Sequence, residues 1–462
     1  MKKVDFRNGT IVQNILQTAL PMLVAQVLTL LYNIVDRIYI GRIPEVGTEA
    51  LGAVGFCFPL IIVVTAFTNM FGMGGSPLFS MALGRGDKDK ASAILNTALK
   101  LLVICAIPLM VLGELFAEPV LTLFGAGKEE LAFALPYLRI YLTGTLFSMV
   151  ATGINPYINA EGYSLYGMAT VTVGAVANLL LDPLFIFAFD LGVEGAAIAT
   201  VLSQFLSMLF VIHFLKSPGN EFPIHLVHTA DGKFFPYGKD IAGLGTVPFI
   251  MQITNSLVNI VCNQMLMQYG GALYVSAMTT VSSVRQILDT PVMAITEGSS
   301  PSISFNYGAR QPDRVRKSIM VMTFMAIPYT AVIWLLIMVK PDLFIRIFTT
   351  DQSLIEVAAP ALHLYFYAFI FQSLQYSGQT VFKALNQKKQ AIFFSLFRKV
   401  ILVVPLTLLL PGVFHLGTDG VFMAEPISNL IGGSACFLTM ILTMKPELKR
   451  MRDHPARDTD KA

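Results

Sequence analysis

Apolar runs of roughly twenty residues or more, parted by short polar loops, follow one another from Ile11 almost to the end of this chain. A helix rises 1.5 Å per residue, so it needs about 20 apolar residues to cross a bilayer core about 30 Å thick. On that basis the chain holds twelve spans: 13–40, 51–83, 93–115, 132–158, 165–189, 193–215, 241–269, 272–307, 318–340, 357–384, 390–411 and 417–443. The expected fold is an all-α integral membrane protein. Composition agrees, because only 13% of residues are charged, too few to cover a water-facing surface, and 55% are hydrophobic. A net charge of +3 offers no grip for nucleic acid. The first run lacks a small-residue cleavage site and reads as a retained helix. Pro21 inside it removes a backbone hydrogen bond and should bend it.

Loop charge tests this count, since cytoplasmic loops carry the excess of Lys and Arg. With both termini inside, most of the 32 Lys and Arg fall on the cytoplasmic side, including Arg85, Lys88, Lys90 and the tail from Lys445. The opposite loops hold only Arg42, Lys128, Lys340 and Arg346. The expectation is a multi-pass protein of the plasma or inner membrane with cytoplasmic termini.

The chain also repeats itself at an offset of about 224 residues. Gly75-Ser76-Pro77 matches Ser299-Ser300-Pro301, Gly84 and Asp89 match Gly308 and Asp313, and Phe124, Pro136 and Tyr141 match Phe348, Pro360 and Tyr365. With one residue of slippage, Leu191-Gly192-Val193-Glu194-Gly195 matches Leu416-Gly417-Thr418-Asp419-Gly420. Six helices per repeat return the chain to the side it left, which makes a parallel repeat: two six-helix bundles around a central cavity. The expected division is an amino-terminal lobe at 1–215, a cytoplasmic linker at 216–240, a carboxy-terminal lobe at 241–444 and a cytoplasmic tail at 445–462. Two lobes in one chain lead to the expectation of a monomer.

Polar residues inside the spans need a reason, because a charged side chain at a helix centre costs about 2.5–3.5 kcal/mol on insertion scales. Asp36 closes the run Tyr32-Asn33-Ile34-Val35-Asp36 in the first span. Asn178 and Asp182 stand four apart in the fifth, on one helix face, and Thr200 adds a hydroxyl in the sixth. Such oxygens suit a sodium ion. They equally suit a proton, since two close carboxylates do not both ionise cheaply. The alternative is that each acid caps a loop or pairs with Arg37 or Arg139.

The run from Tyr32 through Asp36 and Arg37 to Gly41 resembles the end of the first helix in the multidrug and toxic compound extrusion (MATE) family. So do Gly72-Met73-Gly74-Gly75-Ser76-Pro77 leading to Gly84-Arg85-Gly86-Asp87, the Asn178–Pro183 motif, and Gly192 through Thr200. The resemblance spans the chain and lies nearest the bacterial MepA-like and DinF-like members. It implies export of cationic or amphipathic organic compounds against an inward flow of protons or sodium ions, with no further cofactor. It also implies a coupling-cation site at Asp36, Asn178, Asp182 and Thr200, and a hinge at Pro21. The chain departs from the family pattern in the seventh span, which lacks an acid and carries Gln252, Asn255, Asn259 and Asn263 instead.

In the second half, Asn255 and Asn259 with Asp289 and Glu297 are candidates for a substrate cavity whose acidic wall would attract cations. Arg285 and Asp289, four apart, also have the spacing to neutralise each other, and Glu297 shows no partner in sequence. Glu425 falls at the repeat position of Thr200. Arg398 and Lys399 read as long side chains reaching for the cytoplasmic surface.

Three functions follow in order. An antiporter needs no nucleotide site, and no Gly-x-x-x-x-Gly-Lys-Ser/Thr run is present. One cation entering down about 100 mV releases about 2.3 kcal/mol, enough for a roughly 40-fold substrate gradient. A lipid-linked saccharide flippase would need cations to hold a pyrophosphate, and Arg37, Arg139, Arg285, Arg398 and Lys399 look few and dispersed. A membrane enzyme would want a His/acid pair, and His363 has no acid near it in sequence. The four cysteines (Cys57, Cys105, Cys262 and Cys436) lack metal or redox spacing and read as packing residues. An enzyme is therefore not expected.

Overall fold

The computed structural model describes residues 3–217, 222 and 234–453. Most of the linker expected at 216–240 and the end of the tail expected from 445 lie outside the described residues. Among those described, every regular element is a helix. Nine helices are long and apolar enough to cross a membrane, and two bent pairs raise the number to eleven. The 75-residue run Phe234–Gly308 supplies two spans rather than one, because Gly271 breaks it at φ 72°, ψ −168°. That backbone conformation is open essentially to glycine alone. Among the described residues the total is twelve.

In chain order, the spans α1 to α6 are Ile11–Gly41, Phe58–Arg85, Lys88–Leu123, the bent pair Lys128–Thr143 with Thr145–Glu161, Ser164–Ala188 and Gly192–Lys216. The two halves of Phe234–Gly308 are α7 and α8. The last four, α9 to α12, are Pro312–Val339, the bent pair Gln352–Phe366 with Phe369–Ala384, Lys388–Gly412 and Gly417–Asp453. The single span expected at 51–83 is divided: a short helix, Gly47–Gly55, ends before α2 begins at Phe58. Pro59 in the first turn of α2 lacks an amide hydrogen to donate backwards, so it starts a helix more readily than it continues one.

The chain forms two compact units, Met1–Val4 with Val24–Phe249 and Asp5–Leu23 with Ile250–Ala462. The first packs around Phe79, Leu102, Ile154 and Tyr157, whose hydroxyl donates to the Phe71 carbonyl at 2.8 Å. Gly72 lies so close to the Gly153 backbone that an added Cβ would meet its carbonyl oxygen at 2.7 Å, the small-residue packing that lipid-immersed helices rely on. The core of the second unit gathers Val281, Val284, Leu362, Phe366 and Phe422.

The repeat read from sequence recurs in the backbone. Spans α3, α4 and α5 begin at Lys88, Lys128 and Ser164, and α9, α10 and α11 at Pro312, Gln352 and Lys388. The bends in α4 and α10 measure 56° and 49°. Left-handed residues pair likewise: Gly86 with Arg310, Gly162 with Asn386, Asp190 with His415 and Gly192 with Gly417. The units differ in three π-helical turns, Leu184–Ala188 in the first and Phe397–Val403 and Asn429–Gly433 in the second. Such turns shift the side chains that follow them and often mark functional positions.

Candidate functional site

Among the described residues, each unit carries within its spans a polar cluster built on buried carboxylates. In the first, Asn178 and Asp182 stand one turn apart on α5, and Asn178 Nδ2 donates to Asp182 Oδ1 at 3.0 Å. The same amide lies 3.5 Å from Thr200 Oγ1 on α6, whose hydroxyl donates to the Ala196 carbonyl. Asp182 is 0% exposed, yet its Oδ2 accepts no hydrogen bond among the described residues, and neither does the buried Oδ1 of Asp36 on α1. Asp36 and Asp182 lie near enough to repel each other. Two orphaned carboxylate oxygens beside an amide and a hydroxyl form an acceptor-rich nest, suited to a small cation or a proton. Of the four residues named from sequence, Asn178, Asp182 and Thr200 lie within hydrogen-bonding distance as a chain, and Asp36 stands within electrostatic reach of Asp182.

Neither arginine weighed as a private partner forms an ion pair with these acids among the described residues: Arg37 stacks 4.8 Å above the Phe58 ring and reaches Asp36 only through space, and Arg139 pairs with Glu114 at 3.1 Å. Sequence reasoning missed Tyr137 on α4. It is buried, stacks on Tyr141, and lies within electrostatic reach of both Asp36 and Asp182. A tyrosine pair four apart in an apolar span was the available signal. Pro21 lies inside α1, in the stretch that packs with the second unit, whereas Asp36 belongs to the first.

The second cluster is built on Glu425 of α12. Its Oε1 accepts from Arg398 at 2.8 Å and lies 3.1 Å from both Arg285 and Lys399. Arg285 also pairs with Asp289 at 3.1 Å and donates to the Tyr365 hydroxyl. Gln372 donates to both oxygens of Asp289 at 3.0 and 2.9 Å, and Tyr376 donates to it at 3.3 Å. Arg398 donates in addition to Asn429 Oδ1 at 2.7 Å. The π-helical turns of α11 and α12 carry Arg398, Lys399 and Asn429.

This arrangement corrects two expectations. Arg398 and Lys399 do not reach for a membrane surface: they are 6% and 5% exposed and turn inward onto Glu425, because a buried carboxylate within reach neutralises them better than lipid headgroups at a distance. Nor are all five cations dispersed: Arg285, Arg398 and Lys399 converge on one acid, while Arg37 and Arg139 lie elsewhere. Asp289 sits behind Arg285, and Glu297 has a partner in Lys383 of α10. Asn255 lines a small cavity at this cluster, while Asn259 is exposed elsewhere on α7. A row of amides in α10, Gln372, Gln375 and Gln379, was the sequence signal for this wall.

Comparison with known proteins assigns the chain a family. The family profile described as MatE matches residues 21–184 and 248–409, one stretch in each repeat. A "FAD transporter" of Shewanella oneidensis is 26% identical over 432 residues, covering 92% of this chain and 93% of its own. A "Multidrug export protein MepA" of Staphylococcus haemolyticus is 23% identical over 439 residues, covering 95% and 94%. Among solved structures, an outward-facing multidrug resistance MATE family transporter of the MOP superfamily superposes with a TM-score of 0.90 at 21% identity, over 97% of this chain and 99% of that one. A MOP superfamily transporter from Pyrococcus furiosus, described by the reverse polarity of its binding pocket, gives the same TM-score, 0.90, at 22% identity over 97% and 99%.

Proposed function

This chain belongs to the MATE family of transporters, and on that premise we propose that it is a secondary active antiporter that exports small organic compounds in exchange for protons or sodium ions. The observation that carries the reading is the pair of buried carboxylate oxygens, on Asp36 and Asp182, that accept no hydrogen bond among the described residues. A charge held there without a partner is expensive in a low-dielectric span, and a proton or a sodium ion removes that expense. Sodium would take its oxygens from Asp36, Asp182, the Asn178 carbonyl and Thr200. A proton would need only the two acids. Binding and release would then bias two arrangements of the spans, with α1 bending at Pro21, which is alternating access.

The relatives are named for multidrug export and for FAD transport, which supports small organic substrates, amphipathic ones included. The acidic wall expected to draw cationic compounds has less support. Asp289 and Glu297 each spend their charge on a basic neighbour. A multi-pass place in the cell membrane with both termini cytoplasmic, and a monomer as the working unit, complete the proposal.

The test is ethidium flux in vesicles reconstituted with the purified chain, driven first by a pH gradient and then by a sodium gradient. Flux under one gradient that is lost in both Asp36→Asn and Asp182→Asn supports the reading and names the ion. Unchanged coupled flux in both variants sinks it.

A further inference from the structure

The cavity of the second unit is walled by α7, α8, α10 and α11 and has three cations in its lining, Arg285, Arg398 and Lys399. No carboxylate lines it. The two acids that touch those cations, Asp289 and Glu425, sit behind them, so three positive groups meet two negative ones. An excess positive charge buried in a membrane span is costly unless a counter-charge arrives. The donors are also incompletely used. Of the Arg398 guanidinium nitrogens only Nη1 is bonded among the described residues, to Glu425 and Asn429. Lys399 Nζ has a third hydrogen beyond its two contacts with Glu425.

A second observation is independent of charge. Gln375 lines the same cavity, is 4% exposed, and its Oε1 has no hydrogen-bond partner among the described residues. Its carboxamide also carries two N–H donors on the lining of the space. Asn255 adds a further amide to the lining, whereas the Tyr376 hydroxyl is committed to Asp289.

We propose that this cavity is an anion subsite that holds the phosphate or pyrophosphate group of an organic substrate, with Arg398, Lys399 and Gln375 as its donors and Arg285 beside them in the lining. The inference deepens the antiporter reading and rests on it only for the direction of transport. A substrate of this class has two sources, a water-soluble nucleotide or a lipid-linked pyrophosphate. The geometry is the same for both, because guanidinium and ammonium groups recognise the phosphate oxygens themselves.

The experiment is equilibrium binding to the purified full chain in phosphatidylcholine nanodiscs. The probes are FAD, inorganic pyrophosphate, riboflavin as the phosphate-free control, and undecaprenyl pyrophosphate supplied in the lipid. FAD should bind in competition with pyrophosphate and riboflavin should not. Lys399→Gln should weaken FAD about tenfold or more, and Lys399→Arg should restore it. Gln375→Glu, which keeps the volume and adds a negative charge, should weaken it as strongly. Binding of undecaprenyl pyrophosphate alone, with the same response to the variants, also supports the subsite and assigns the lipid source. If no phosphate-bearing probe out-binds riboflavin, or if the variants leave binding unchanged, the subsite is wrong. Gradient-driven ethidium flux on the same preparation keeps the two readings apart. Flux without anion binding overturns the subsite alone, and anion binding without any gradient-driven flux overturns the antiporter alone.

Discussion

Two residues at equivalent places in the repeat, Thr200 and Glu425, each sit in the polar cluster of their own unit, and Tyr365 of the second cluster has its repeat counterpart in Tyr141, stacked on Tyr137. The scaffold is the same and the chemistry is opposite. In the first unit a hydroxyl stands with two carboxylates that have spare acceptors. In the second a carboxylate is gripped by three cations. Duplication supplied one polar address per unit, and substitution at that address set its sign. The proposed division of labour follows: a site that wants positive charge in one unit and a site that wants negative charge in the other.

The largest expected effect separates a cluster that is held by its ions from one that is not. Glu425→Gln leaves Arg285, Arg398 and Lys399 with Asp289 as their one remaining acid. Breaking a buried ion pair from one side costs about 3–5 kcal/mol, so this variant should lose much of its folded yield and thermal midpoint in detergent. Asp182→Asn should do the reverse. It keeps the volume, removes an uncompensated acid, and so should abolish coupled flux with no fall in thermal midpoint. If Asp182→Asn destabilises the chain as much as Glu425→Gln, the first cluster is a structural network like the second, and the comparison fails.

A smaller effect is expected at Tyr137, whose hydroxyl has no counterpart in the site as read from sequence. Tyr137→Phe removes one hydrogen-bonding group beside Asp36 and Asp182 and leaves the ring stacked on Tyr141. Losing about 1 kcal/mol of polar interaction with the two acids should lower coupled flux several-fold while the thermal midpoint stays put. Unchanged flux across a full pH series would remove Tyr137 from the site.

What was legible in the sequence and what was not divides along the same physical line. Lipid sets a minimum apolar length, so the spans could be counted, and a four-residue spacing set Asn178 and Asp182 on one face. The partner of Glu297 was not legible, because Lys383 lies 86 residues further along the chain. Arg398 and Lys399 were misread for the same reason: a basic pair in an apolar run looks like a snorkelling pair until the tertiary fold brings Glu425 to it. The π-helical turn that carries both residues left no signature in the hydrophobic pattern.

The smallest expected effect is at a repeat position outside the spans' apolar cores. Gly127 and Asp351 each directly precede a helix, at Lys128 and Gln352. Gly127 leaves the first turn without a side-chain cap, whereas Asp351 Oδ1 accepts from Ser353 Oγ at 2.7 Å and from Ser353 N at 3.0 Å. Those bonds, the Ser353 hydroxyl first, hold the Asp351 carboxyl below the usual carboxylate range. A carboxyl depressed in the folded state adds stability above its unfolded pKa of about 4, and that contribution disappears as pH falls through the folded value. Asp351→Gly should therefore lower the thermal midpoint slightly at pH 7, and the gap to the parent should close on acidification below pH 4. The reciprocal change, Gly127→Asp, meets an extended backbone that accepts it, but an added side chain there comes within 2.7 Å of the Glu130 carboxylate. Its gain at pH 7 should be smaller than the loss at Asp351 for that reason. Equal and opposite shifts at the two positions would mean that the neighbouring acid is irrelevant and that the caps alone set the difference.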